Sequence, residues 1–224
     1  MKCALITGVS QGLGLALVKT FLEKNFVVFG ISRSEQVQVA HSSFHLITTD
    51  WEDYDLVVQR IQNVDNVKID VVIHNAGLLI NKDLDDLSES DFLDSYKVNV
   101  VQPFLLTKAL KKAELLQSDA HIIHIGSVGG VAQTKKFAGF GAYSSSKASL
   151  SVLTEIMQLE WGQTLNFNTL ALGAVKTSML DQANFSSADA FSDVQLAGWI
   201  HDFAQNSVDF ISGQTILIKK SDPV

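Results

Sequence analysis

Apolar positions in this chain fall into two rhythms that take turns from end to end. Short, nearly unbroken apolar runs at 3–7, 26–32, 44–48, 69–74, 121–125, 167–172 and 214–218 read as strands, because a strand buried on both faces need not alternate. Between them, apolar residues recur at helical spacing over 13–24, 54–64, 89–116, 143–161 and 190–205. Strands separated by helices predict a parallel sheet covered on both sides, and right-handed crossovers make it a doubly wound, Rossmann-type α/β fold. Seven strands in one domain suit 224 residues, a length at which a single core still holds together. The only prolines are Pro103 and Pro223, and the helical pattern of 89–116 is expected to run through the first of them.

Composition narrows the class. Hydrophobic residues make up 46% and charged ones 18%, enough apolar side chains for a substantial core. No apolar run approaches the roughly 20 residues that span a bilayer, and the N-terminal strand runs straight into motif residues, so no membrane association and a cytoplasmic address are expected. Cys3 is the single cysteine, which excludes an internal disulfide and a cysteine metal cluster and predicts a small buried side chain. The formal net charge is −7 and no basic run could track a phosphate backbone, so nucleic acid is excluded as a partner. His41, His45, His121 and His124 lack convincing metal-ligand spacing, and no metal is expected. Asp83, Asp85, Asp86 and Glu89 read as a solvated face before a helix, favoured by its dipole.

Two motifs carry chemistry. Thr7-Gly8-Val9-Ser10-Gln11-Gly12-Leu13-Gly14 follows the first strand and opens the first helix. Gly8 would permit the tight exit from the strand, Gly12 the approach of backbone to a pyrophosphate, and Gly14 close helix–sheet packing. The free N–H groups of the turn, around Ser10, Gln11 and Leu13, would face the phosphates. After the second strand stands Ser32-Arg33, where an NAD-binding chain typically offers a carboxylate to the ribose 2′-hydroxyl. A guanidinium pairs with a 2′-phosphate and a hydroxyl donates to it, so NADP(H) is expected in preference to NAD(H). Downstream lies Tyr143-Ser144-Ser145-Ser146-Lys147. Residues four apart on a helix share a face. There, a lysine ammonium favours phenolate and brings a tyrosine near pKa 10 closer to neutral pH.

With these residues in place, the sequence resembles the short-chain dehydrogenase/reductase family from Met1 to about Ile218. His74-Asn75-Ala76-Gly77 is similar to the family's Asn-Asn-Ala-Gly motif, with histidine in the first position. Asn99 resembles the asparagine of the family's interface helix, and Ser127 stands where the catalytic serine ends the fifth strand. Tyr143 and Lys147 match the active-site pair. Ile211-Ser212-Gly213-Gln214-Thr215 resembles the entry to the last strand.

The resemblance implies roles for these residues. Tyr143 would act as general acid/base, Ser127 would hold the substrate oxygen, and Lys147 would also anchor the ribose. Asn99 would hold a water joining Lys147 to solvent. Asn75, Ala76, Gly77, Asp50 (at the adenine), Gly173, Val175 and Thr177 (at the nicotinamide carboxamide) would complete the cofactor site. Leu172-Gly173 departs from the family's Pro-Gly, which predicts a looser turn. The stretch 133–141 is longer than usual and is expected at the substrate mouth, with 178–192, carrying Met179, Leu180, Phe185 and Phe191, as a covering lid.

The expected activity is an NADPH-dependent carbonyl reductase acting on a small ketone, aldehyde or oxoacyl compound, or on the corresponding alcohol. A non-catalytic NADP(H)-sensing regulator and an NAD-linked alcohol dehydrogenase stand as alternatives. The apolar faces of 89–116 and 143–161, with Phe104, Leu105, Leu150, Leu153 and Met157, imply a homodimer or homotetramer.

Overall fold

The computed structural model describes residues 1–50, 52–177, 180 and 190–220. Seven strands alternate with helices: β1 (Cys3–Thr7), α1 (Gly12–Glu23), β2 (Val27–Ser32), β3 (Phe44–Thr48), α2 (Tyr54–Gln62) and β4 (Ile69–His74) form the first half. Then follow α3 (Glu89–Tyr96), α4 (Gln102–Lys112), β5 (Leu116–Ser127), α5 (Gly141–Trp161), β6 (Leu165–Leu172), α6 (Asp193–Asn206) and β7 (Gln214–Ile218). The strands form one sheet in the order β3-β2-β1-β4-β5-β6-β7, with every pairing parallel. The order reverses between β1 and β4. In an open parallel sheet, that switch point opens a crevice beyond the strands' carboxyl ends.

The unbroken apolar strands are explained by two cores. Successive side chains of a strand point to opposite faces. In β1, Ala4 and Ile6 join α1 and α6 on one side, through Leu17, Phe21, Ala197 and Ile200. Cys3 and Leu5 join α2, α4 and α5 on the other, through Ile61, Leu110 and Met157. Cys3 is buried, as expected, and burial pushes its thiol up to about 12.

The pattern over 89–116 conceals three segments. A Ser88–Asp91 capping box starts α3, and a π turn over Lys97–Val101 joins it to α4. Pro103 lies in the first turn of α4. Proline has no N–H to offer the carbonyl four residues back, here Asn99, and its ring crowds that oxygen, so the helix widens instead of continuing. The helix then stops at Lys112, Glu114 turns the chain at φ 56°, and β5 begins at Leu116, earlier than the apolar run predicts. Its first residues form an irregular arm: register shifts between Ile69↔Leu116 and Val71↔His121.

Histidines occupy the sheet interior. His74 and His124, on neighbouring strands, stack at 5.0 Å between ring centres. Thr107 gives its proton to the Pro103 carbonyl and Thr154 gives its own to Leu150. The ring nitrogens at 2.8 and 2.9 Å from those two hydroxyls must therefore donate, fixing His74 as the Nε2–H and His124 as the Nδ1–H tautomer. Burial holds His124 down to about 3 and His121 to about 4, and burial with the neighbouring His124 and Lys147 holds His74 well below its usual range. These rings are neutral in the fold, so their contribution is complete above the unfolded value of 6.5 and is lost as pH falls towards the folded values. We expect His121 and His124 each to remove about 2 kcal/mol of stability between pH 6.5 and 5. Urea unfolding at pH 7 and pH 5 measures the loss, and His121→Gln should reduce it by one residue's share.

Candidate active site

The glycine turn lies at the switch point. Gly8 leaves β1 at φ +74° and donates to the Ile31 carbonyl at 2.9 Å. A Cβ on Gly14 would lie 2.0 Å from the Gly8 oxygen, so α1 packs under the turn only because that position is glycine. Thr7 and Asn75 clamp the turn to the end of β4. The Thr7 hydroxyl accepts from the N–H groups of Asn75 and Ala76, both at 3.0 Å. The Asn75 amide donates back to the carbonyls of Thr7 and Gly8, at 3.0 and 3.2 Å. Gln11 gives α1 no side-chain cap, leaving the helix's first N–H groups and positive end for an anion.

From this turn a cavity of about 450 Å³ runs along the sheet's edge. Gly8, Ser10, Gln11, Gly12, Leu13 and Gly14 line its middle, and Ser32, Arg33 and Ser34 one end. The Ser32 oxygen accepts from the Ser34 N–H at 3.0 Å, which leaves its own proton to donate; Arg33 is exposed. Asp50 is absent from the lining. Its carboxylate accepts from the Glu52 N–H at 3.3 Å and closes its own loop, so geometry gives it a turn-capping role.

At the other end stand Ser127, Tyr143 and Lys147. β5 delivers Ser127 at its last residue, and α5 presents Tyr143 and Lys147 one turn apart. Lys147 is 3% exposed, donates to the Ile125 carbonyl at 2.8 Å, and lies 5.9 Å from the centre of the Tyr143 ring. Burial draws its ammonium down to about 8. The same burial pushes the Tyr143 phenol up to about 12, with the hydrogen bond from Ser127 pulling the other way. Against the expectation of a phenol lowered by its lysine, the shift in the chain by itself runs upward, with burial as its leading cause.

Asn99 sits in the π turn, wholly buried. Its amide is occupied, accepting from the Leu78 N–H and donating to the Leu78 carbonyl and to Ser146, each at 2.9 Å. It therefore ties the strand end after Gly77 to α5, and the widened turn around it leaves its main-chain carbonyl without a donor from Pro103.

Ala76, Gly77, Gly173, Val175 and Thr177 also line the cavity, and Asn75 does so while clamping the turn. At Leu172-Gly173, where a proline is missing, the contacts are kept. Leu172 pairs with Ser127 on one side and Ile218 on the other, and Gly173 donates to the Ile218 carbonyl at 2.8 Å. From the stretch 133–141, Phe137 and Phe140 reach the cavity. From 178–192, Leu180 lines it and Phe191 is bridged to Val175; Met179 and Phe185 lie outside the described residues.

Sequence reasoning passed over Thr7 and Ser146 as site-builders. Thr7 had a signal, standing first in the glycine motif. Ser146, three residues after Tyr143, supports Asn99 from a distance in sequence that no local pattern reveals.

The chain has known relatives in both sequence and fold. A family model described as short chain dehydrogenase matches residues 2–187. The 3-oxoacyl-(acyl-carrier-protein) reductase of Vibrio harveyi is 26% identical over 234 residues, covering 96% of this chain and 94% of that protein. Benzil reductase ((S)-benzoin forming) of Bacillus cereus is 26% identical over 215 residues, covering 87% and 84%. A solved structure of 4-hydroxyisoleucine dehydrogenase complexed with NADH superposes with a TM-score of 0.80 at 23% identity, covering 98% and 97% of the two chains. That likeness shows the fold.

Proposed function

The chain belongs to the short-chain dehydrogenase family, and we propose that it is an NADPH-dependent carbonyl reductase. The observation that carries this reading is the convergence of Ser127, Tyr143 and Lys147 on the same cavity as the glycine turn. The turn fits a dinucleotide: its uncapped helix start faces the cavity, and its packing tolerates no side chain at Gly14. Gly8 to Gly14 would hold the pyrophosphate and Ala76 to Gly77 would line its path. Gly173, Val175 and Thr177 would flank the nicotinamide, and Lys147 would reach the ribose. When bound, the cofactor supplies the hydride.

The chain's own residues supply the rest. Ser127 would donate to the substrate oxygen and hold it beside the phenol. Tyr143, protonated at neutral pH, would be the group that gives that oxygen its proton in reduction and takes it back in oxidation. Lys147, mostly charged at pH 7 with its value near 8, would stabilise the phenolate left behind, and the Asn99 carbonyl would hold a water on the route back to solvent.

Tyr143→Phe should lower kcat for ketone reduction by about 10²- to 10⁴-fold while NADPH still binds in a fluorescence titration. Tight NADPH binding by the unaltered chain, with no turnover across ketones, aldehydes and quinones, would instead support a cofactor-sensing regulator.

Arg33 and Ser32 support the preference for NADP(H), since a guanidinium at the cavity's end suits a 2′-phosphate. Arg33→Ala should raise KM for NADPH by about 10- to 100-fold and change KM for NADH little. An unchanged NADPH KM would favour the NAD-linked dehydrogenase.

A cytoplasmic homodimer or homotetramer completes the reading. No helix among the described residues is long and apolar enough to cross a membrane. On α5, Leu150 and Met157 face the core, while Val152, Ile156 and Leu159 are exposed at 59%, 44% and 81%. A partner's helices would cover that outer face. Light scattering should give a multiple of the monomer mass at micromolar concentration, and Val152→Glu with Ile156→Glu should return it to the monomer.

A further inference from the structure

The cavity beyond Tyr143 is walled by rings. Phe137 and Phe140 meet edge to face with centroids 6.4 Å apart, and Phe140 meets Tyr143 in the same manner at 6.3 Å. Leu79, Val128 and Leu180 fill the wall between them. Among the described lining residues the charged ones are Arg33, at the opposite end, and Lys147, whose ammonium is buried and bonded to the Ile125 carbonyl. Beside this end the ammonium of Lys135 lies over the Phe137 ring.

The aromatic wall is held in place. The Lys82 N–H donates to the Gly139 carbonyl at 3.0 Å, and Lys82 bridges Phe140. Gly139 takes φ +83°, and a Cβ there would lie 2.2 Å from Asn81 Oδ1. At the loop's other root, the Thr134 hydroxyl lies 2.5 and 2.8 Å from the carbonyls of Val128 and Val131. The Lys135 ammonium sits 5.3 Å from the centre of the Phe137 ring. A wall ordered beforehand gives a ligand contact area without the entropy of assembling it.

We propose that the substrate is a ketone or aldehyde carrying an aryl group, with its ring against Phe137 and its carbonyl at Tyr143 and Ser127. This rests on the reductase reading and sharpens it. A flat ring gains edge-to-face or offset contact with Phe137 and Phe140 that a saturated ring of similar size does not.

The test compares phenylacetone, 1-cyclohexyl-2-propanone and S-acetoacetyl-N-acetylcysteamine as substrates, with NADPH and NADH each in excess. Their carbonyls are not conjugated with a ring, so aromaticity itself is compared in the first two. We expect kcat/KM for phenylacetone to exceed that for the cyclohexyl ketone by roughly tenfold, the upper end of what ring contact adds, and to exceed that for the thioester. Phe137→Leu should bring the two ketones within about threefold by lowering the aryl value alone, and Phe137→Tyr should keep the preference. Equal or inverted ketone rates, a preference for the thioester, or an unchanged ratio in Phe137→Leu would overturn this inference and leave the reductase reading standing. No turnover of any of the three would overturn both.

Discussion

A lysine ammonium lies under the sheet's edge with almost no access to water, and the surrounding architecture is organised by that constraint. An unpaired charge in such a place is expensive. Lys147 is compensated not by a carboxylate but by the Ile125 carbonyl, two residues before the end of β5. The layer beneath it also matters. His74 and His124 stack close by and stay neutral, each donating to a threonine already committed to a helix carbonyl. Were either ring charged, it would compete with Lys147 for the same low-dielectric region. Keeping the histidines neutral is thus part of keeping the lysine charged.

The same dryness governs Tyr143. A phenol pushed up to about 12 by burial holds its proton tightly and is a weak acid in the chain by itself. The hydrogen bond from Ser127 acts against that burial, and the glycine turn lines the same cavity as this pair. Because Gly14 packs against the Gly8 carbonyl and Asn75 holds that carbonyl from the other side, the phosphate site and the proton-transfer site are parts of one rigid edge.

Much of this was legible because it is local. The strand runs, the glycine spacing and the i, i+4 placement of Tyr143 and Lys147 are short-range patterns, and α5 and β1 stand where those patterns put them. The rest depends on partners distant in sequence. The carboxylate of Asp50, placed after β3, accepts from the Glu52 N–H and is not among the residues lining the cavity, which its position alone does not report. The span 89–116 had helical periodicity throughout, and only the link between Pro103 and the carbonyl of Asn99 tells that it must widen there. The direction of the Tyr143 shift followed from burial, which spacing does not report. Leu172 stands where a proline is usual, and its pairing with Ser127 and Ile218 on either side comes from strands distant in sequence.

Such cases divide the site into two kinds of structure. Residues proposed to handle the proton and the phosphates come from strand ends and from the helices α1 and α5 packed on the sheet. Those facing the substrate come from 133–141 and from the region around Leu180, segments that the sheet does not dictate. Loops of this kind ordinarily vary in position, but here the first is tied to Lys82 at its tip and to Val128 at its root. Val128 directly follows Ser127, so the anchor of the aromatic wall is one residue from the hydroxyl proposed to hold the carbonyl. Substrate shape and carbonyl position are thereby referred to the same strand end. A ring that fits the wall brings its carbonyl to Tyr143 in a defined orientation, which is how a single loop can select a substrate without altering the chemistry beneath it.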